Sequence, residues 1–330
     1  MAAIPLFGKE IVNNGGKLMA KQRRFAYSSL APILLYMGLF TLFPIVWAVV
    51  MSFFSYTPIR TGSGFLGLGG ANPFIGIDNY IELVTGNSKP AEVFRLAVRN
   101  TFVFTALVLP LNLSITLPLA VILESIGERF KTLFRAIYFL PTISSSVALV
   151  IIWSYIYAPG WGLLSLMFKA VGLVPPKSWL QDPNTIYFGV PLAMICVVVA
   201  HVWQDFGYNL VIFVAALQSI PKTLREAARV DGANTWQEFW LVVVPLLRRT
   251  ILLASVLTVL SSLQVFVIFQ LLTRGGPKNQ TQTMLLSIYE NAFRFANNLG
   301  LSSAMSMILF IIILTLTVFQ FRILKTEWEY

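Results

Sequence analysis

The sequence predicts an all-α integral membrane protein with six transmembrane helices and both termini in the cytoplasm. Three observations carry this reading. Mean hydropathy is +0.75 and only 12% of the 330 residues are charged, where a soluble domain carries about 25%. Six apolar runs approach or exceed the roughly 20 residues that cross about 30 Å of hydrocarbon at about 1.5 Å per residue. Lys and Arg are also divided unequally between the segments that join these runs, as membrane orientation requires.

The first run is Ser29–Phe54. It is too long for a signal peptide and no small-residue cleavage site follows it, so it reads as a retained helix. Residues 1–28 read as a solvated basic segment that enforces orientation. The outer loop 55–100 holds "GSGFLGLGGANPFIGIDNY", Gly62–Tyr80, rich in turn residues, then "AEVFRLAVRN", Ala91–Asn100, patterned like an amphipathic helix at the interface. The second and third runs are Thr101–Leu123 and Ala136–Ala158. In the following loop, "GLVPPKSWLQDPNT", Trp179 reads as an aromatic interface anchor. The remaining runs are Tyr187–Leu217, Thr250–Leu272 and Leu301–Phe321, and 323–330 forms a cytoplasmic tail.

With the N-terminus inside, fifteen of the 24 Lys and Arg fall in cytoplasmic segments and nine in the longer outer ones. The reverse orientation violates the positive-inside rule. A net charge of +10 would suggest nucleic acid in a soluble chain. Here the distribution assigns it to topology, so the expected partner is membrane lipid and not nucleic acid. One cysteine, Cys196, and one histidine, His201, exclude an internal disulfide and a Cys/His zinc site. "GGPKNQT" and "GNSKPAE" both fail the phosphate-loop spacing, so the chain is not expected to bind ATP itself. No credible nucleophile–base pair or metal cluster points to an enzyme, and no catalytic residue is expected. No internal repeat supports an inverted-repeat carrier.

One polar island interrupts the greasy runs: "LREAARVDGANTWQEFWLVVVPLLRR", Leu224–Arg249, on the cytoplasmic side. Pro221 is suited to open a helix. Thr223 with Glu226, and Thr235 with Glu238, match capping boxes. Gly232 between them suits a helix end with positive φ, and Pro245 marks the start of the fifth span. Ala227, Ala228, Gly232 and Ala233 leave a small-residue surface that another backbone can approach. Two readings are open: a plug for a groove on a partner, or a plain connector whose Glu226 caps its own helix.

Inside the spans, Asp205 is a carboxylate at membrane depth, which is costly and usually functional. Tyr208 shares its face three residues on, and Gly207 between them offers a bend. Thr258, Ser261, Ser262 and Val265 recur at spacings of three and four in the fifth run, flanked by Gln264. These groups suit a polar solute's pathway, with helix packing the alternative for the hydroxyls. For Asp205 the alternative is pairing with a partner helix. His201, one turn away, either hydrogen-bonds to Asp205 or joins it in a proton relay, which would make a proton-coupled secondary carrier.

The island then carries a resemblance. Glu226-Ala227-Ala228, Gly232 three residues later, and Val242-x-Val244-Pro245 nine residues beyond that resemble the signature loop of permease subunits of binding-protein-dependent ABC importers. Val replaces the usual Ile and Leu. "AALQSIP", "GGPKNQTQT" and "FIGIDNY" are similar to the carbohydrate-importer branch, and the long first outer loop resembles the first-kind subunits of maltose and glycerol-3-phosphate importers. The resemblance spans most of 25–322. It implies the type I ABC importer permease fold in a prokaryotic cell membrane. It also implies a second homologous permease, two ATPase subunits that bind ATP and Mg, and an external binding protein that delivers a sugar. It places Glu226, Ala227, Ala228, Asp231, Gly232, Ala233 and Pro245 in the ATPase-coupling loop 219–249. Sugar-contacting positions of the maltose permease fall at or near Asp205, Tyr208, Thr258, Ser261, Ser262 and Val265. Tyr208 matches by residue type, while Asp205 and Val265 match by position alone.

Overall fold

The computed structural model describes residues 7–59, 67–294 and 298–323. Parts of the expected basic segment, the glycine-rich outer turn and the C-terminal tail lie outside these residues. The architecture is almost wholly helical. Helix α1 (Phe7–Met37) runs through a π-helical stretch, Gly38–Leu42, into α2 (Phe43–Met51). The backbone is therefore already helical from Phe7, where the sequence suggested a solvated tail. No side chain of Gln22–Met51 is buried; α2 packs on the last helix, Leu299–Ile323, and the apolar helix before it projects from the body.

After the turns that follow α2 come α3 (Asp78–Thr85) and α4 (Lys89–Ser125). The segment expected to lie at the membrane interface, Ala91–Asn100, is instead the opening of α4. Ala91, Phe94 and Ala97 are buried, with Phe94 packed among Leu83, Met284 and Met305. The same amphipathic spacing serves a protein core as well as a lipid boundary. The third expected span is broken: α5 (Glu128–Ile143) and α6 (Ser146–Ile156) meet at a 97° bend. Ser144 and Ser145, both extended, interrupt the helix there.

Helix α7 (Leu163–Ala170) follows, then a two-stranded hairpin of β1 (Ile186–Tyr187) and β2 (Val190–Pro191). The fourth span thus starts later than its apolar run. Pro191 caps α8 (Leu192–Ser219), having no amide hydrogen to donate to a preceding turn. Trp179 is a core residue and not an interface anchor. It is 5% exposed, and its Nε1 donates to Ser165 Oγ at 2.8 Å.

The polar island forms α9 (Lys222–Val230), α10 (Thr235–Glu238), a π-helical stretch Phe239–Val243, and α11 (Val244–Leu246). A 74° bend leads into α12 (Arg248–Leu263). The fifth apolar run breaks again after Leu263 and resumes before a π-helical stretch, Phe269–Thr273. α13 (Met284–Tyr289) and α14 (Leu299–Ile323) complete the fold. Among the described residues, four helices are long and apolar enough to cross a membrane, or up to six if each bent pair is one span.

The centre is α8, packed against α4, α5 and α12. Phe213, Leu210, Leu123, Leu247 and Ala254 fill one half of this core, and Phe104, Val197, Met194 and Phe269 the other. Gly207 does not bend α8, which is one continuous helix. A Cβ there would sit 2.5 Å from the Tyr138 carbonyl oxygen and 2.6 Å from Thr142 Oγ1, so glycine lets α5 lie directly on α8. Thr142 Oγ1 also donates to the Gln204 carbonyl at 2.9 Å, and Gln204 Nε2 donates to Ser146 Oγ at 2.8 Å, bonding both sides of the α5–α6 bend to α8.

Candidate functional site: the polar loop and the polar bundle centre

The island's turn is built by its own backbone. The amide of Gly232 donates to the Arg229 carbonyl and that of Ala233 to the Ala228 carbonyl, at 3.1 and 2.9 Å. This pair of bonds closes the C-terminus of α9 with Gly232 in the left-handed position, at φ 87°. α10 has a true capping box, but one residue earlier than expected. Asn234 Oδ1 accepts from the Gln237 amide, and Gln237 Oε1 accepts from the Asn234 amide, both at 2.9 Å. No side chain caps α9, whose cap residue is Pro221, so Glu226 is not engaged as a cap. It is exposed, as are Ala227, Asp231 and Gly232, while Ala228 and Ala233 are half-buried. Pro245 is exposed too, inside α11 and just before the bend.

Glu238 has a different task from the cap role the sequence suggested. Its side chain is 3% exposed and binds both arginines of α9: Arg225 Nε at 2.5 Å and Arg229 Nε at 2.7 Å. The carboxylate thereby fastens α9 to α10 across the glycine turn. Burial by itself raises its pKa. Hydrogen bonds and charge from Arg229 and Arg225 outweigh that and hold it below the ordinary carboxylate value. A second carboxylate, Glu124 at the end of α4, binds Lys131 at 3.0 Å and Arg135 at 3.5 Å. Between these clamps lies a cavity of about 480 Å³ lined by Glu124, Lys131, Gln218, Arg225, Glu226 and Arg229. The loop is therefore internally braced while its Glu226–Asp231 edge stays open.

The second polar group sits where α4, α8 and α12 meet. Asn209 Nδ2 donates to Asn112 Oδ1 at 2.8 Å and to Thr258 Oγ1 at 2.7 Å. All three residues are at most 2% exposed. Asn112 and Asn209 were not singled out from the sequence. The long apolar stretches around them hid their signal, although asparagine at membrane depth is itself one. Ser262 is fully buried, and its hydroxyl is spent on the carbonyls of Thr258 and Val259. Val265 is buried in the core with Phe104 and Phe269. The residues left accessible are Asp205, half-buried, with Oδ2 accepting from Ser261 Oγ at 3.1 Å, and Tyr208 and Gln264, both exposed.

His201 does not pair with Asp205. Its ring lies 5.2 Å from that of Phe104, and its Nε2 has no hydrogen-bond partner. No direct hydrogen bond or ion pair between His201 and Asp205 is present among the described residues. Among the described residues no His, Cys, Asp or Glu group could hold a metal ion.

Four to six apolar helices long enough to cross a membrane, with a braced polar turn exposed between two of them, make this a multi-pass membrane protein that offers a surface to a partner. Residues 116–326 match the family described as the binding-protein-dependent transport system inner membrane component, and the chain belongs to that family. It is 30% identical to the lactose transport system permease protein LacF of Rhizobium radiobacter, over 88% of this chain and 91% of the relative. It is also 30% identical to the sn-glycerol-3-phosphate transport system permease protein UgpA of Agrobacterium fabrum, over 92% and 96%. Its fold is that of a chain in a crystal structure of a bacterial ABC transporter involved in import of the acidic polysaccharide alginate. The TM-score is 0.75 at 20% identity, covering 93% of this chain and 98% of that one.

Proposed function

We propose that the chain is the transmembrane subunit of an ATP-driven importer that moves a sugar or sugar derivative across a prokaryotic cell membrane by alternating access. The observation that carries the reading is the braced turn. Glu238 and the Gly232 closure make α9–α10 a stiff unit whose Glu226, Ala227, Asp231 and Gly232 edge is free to be gripped from outside. A rigid lever is what a bistable bundle needs if a partner's closure is to rotate its helices. In this reading 219–249 docks in a cleft on one of two ATPase subunits, which bind ATP and Mg, and Pro245 with the bend after it passes the motion to α12. Six spans fill 29–322, the α5–α6 pair forming the third and Arg248–Thr273 the fifth, with both termini inside. The bare surface of Gln22–Met51 suits a second permease subunit and lipid.

Sugar is the substrate class because relatives covering nearly the whole chain carry lactose and glycerol phosphate in their names. Asp205, Tyr208, Ser261 and Gln264 supply accessible hydroxyl-pairing and aromatic groups. Thr258, Ser262 and Val265 support that wall from behind. An external binding protein delivers the sugar.

The test is co-expression with the neighbouring permease, ATPase and binding protein, comparing wild type with Gly232→Pro. Proline is incompatible with the positive φ and removes the amide that closes α9. Loss of coupled ATPase activity and uptake with normal membrane insertion supports the docking role. Unchanged uptake sinks it.

A further inference from the structure

The connection between α6 and α8 contains a feature that transport does not call for. From Tyr155 to Asp182 the chain holds two cations, Lys169 and Lys177, and one acid, Asp182, which lies within electrostatic reach of Lys177. Helix α7 lies within this stretch, and one of its faces is used internally. Ser165 is fully buried under Trp179, whose ring meets that of Phe168 edge-on at 5.0 Å. The opposite face covers nothing in this chain. Leu163, Leu166 and Met167 are 56, 52 and 57% exposed, and just beyond the helix Val171 and Val174 are 71 and 92% exposed.

We infer that α7 and the Val171–Val174 segment are a membrane-interface anchor, seated with their apolar side chains at the boundary between lipid headgroups and acyl chains.

Three observations favour lipid over a protein partner or water. The apolar surface is continuous with the outer side of α6, where Ile151, Ile152 and Tyr155 are exposed. Tyr155 pairs with Trp161, ring centroids 5.9 Å apart, at the corner joining α6 to α7. Tyr and Trp concentrate at that depth because one end of each ring system is apolar and the other wet. The charge also fits. Lys169 suits an anionic headgroup layer, while the Lys177 charge is shared with Asp182. Lys169 Nζ is tethered to the Gly160 carbonyl at 2.9 Å, which draws its ammonium back toward the turn. Trp179 looked like the anchor from sequence, but its burial leaves that role to α7.

The inference rests on the chain crossing a membrane and not on what it carries. Cys196 is the one cysteine and is buried, so a Cys196→Ala background admits single nitroxide labels at Met167→Cys, Val174→Cys and, as a lipid-facing control, Ile152→Cys. The assembled transporter is placed in nanodiscs of phosphatidylethanolamine and phosphatidylglycerol. Collision rates are read with lipid-soluble oxygen and with a water-soluble nickel chelate. The expected result is oxygen in excess at both test sites, with a shallower depth than at 152. Nickel in excess, which means water, or low access to both probes, which means a protein cover, overturns the proposal. Replacing phosphatidylglycerol with phosphatidylcholine is expected to shift both test labels toward nickel, and an unchanged ratio refutes the lysine contribution. ATPase stimulation measured on the same samples reports separately on the importer reading.

Discussion

Neutralising Glu238 tests whether the α9–α10 turn is a stiff unit or a loose loop. Glu238→Gln keeps the shape and one acceptor oxygen while removing the charge that faces Arg225 and Arg229. The two contacts are unequal. Arg225 is 21% exposed against a carboxylate 3% exposed, and a charge-assisted hydrogen bond of that kind contributes about 1.5–3 kcal/mol. Arg229 is 61% exposed, so solvent screening leaves it roughly 0–1 kcal/mol. Because the amide retains part of the Arg225 bond, a net loss of about 2 kcal/mol is expected, about a 30-fold rise in the opening equilibrium. Hydrogen exchange of amides 222–238 in the assembled complex reads this directly. Arg225→Gln should come close to Glu238→Gln, and Arg229→Gln should change exchange only a few-fold. If Arg229→Gln equals or exceeds Glu238→Gln, or if Glu238→Gln leaves exchange unchanged, the brace is not what holds the turn. The pH response has a defined sign. A carboxyl with a depressed folded pKa stabilises above its unfolded value and loses that contribution as pH falls through the folded one. Exchange attributable to the brace should therefore stay flat from about pH 7 to 5 and rise only below about 4.

Three further outcomes follow from the packing. Gly232→Ala should cost only the backbone penalty of about 1 kcal/mol, because a Cβ there meets nothing within 4 Å; hydrogen exchange in α9 should rise several-fold, and coupled ATPase activity should survive where Gly232→Pro loses it. Gly207→Ala should lower thermal stability in detergent by about 1–3 kcal/mol, since the Tyr138 carbonyl and Thr142 stand in the way of a Cβ; a variant as stable as wild type would mean α5 does not rest on α8 there. Asn209→Leu leaves Asn112 and Thr258 buried without their shared donor and should cost about 1–3 kcal/mol, and adding Asn112→Leu should recover part of it. A double variant worse than the sum of the singles contradicts the node.

Much of the molecule was legible before any coordinates, because the signals are local. Hydropathy and charge marked where the apolar helices run, and the Glu226–Gly232–Pro245 spacing marked the helix–turn–helix between α8 and α12. Gly232 is where the helix ends, with φ 87°, since few other residues tolerate that backbone. Legibility failed wherever one pattern suits two environments. Ala91–Asn100 has an amphipathic spacing that fits a bilayer surface or a protein core, and it went to the core. Trp179 suits an interface or a buried pocket, and a hydroxyl fourteen residues away, Ser165, decided for the pocket. Composition also did not announce the breaks at Ser144–Ser145 and after Leu263, because apolar residues continue on both sides.

What the sequence by itself determined is the solvent, the approximate apolar helices and the polar turn between α8 and α12. Each depends on residues within a turn or two of one another, or on the charge between spans. What only the tertiary structure decided is which polar groups face inward to hold the bundle and which stay accessible. Asn112 meets Asn209 across 97 residues and Asp205 meets Ser261 across 56, while Glu238 turns from a cap into the brace on two arginines. Hydrogen bonds and ion pairs depend on distance and direction in space, and no one-dimensional spacing specifies those once helices α4, α8 and α12 have chosen how to pack.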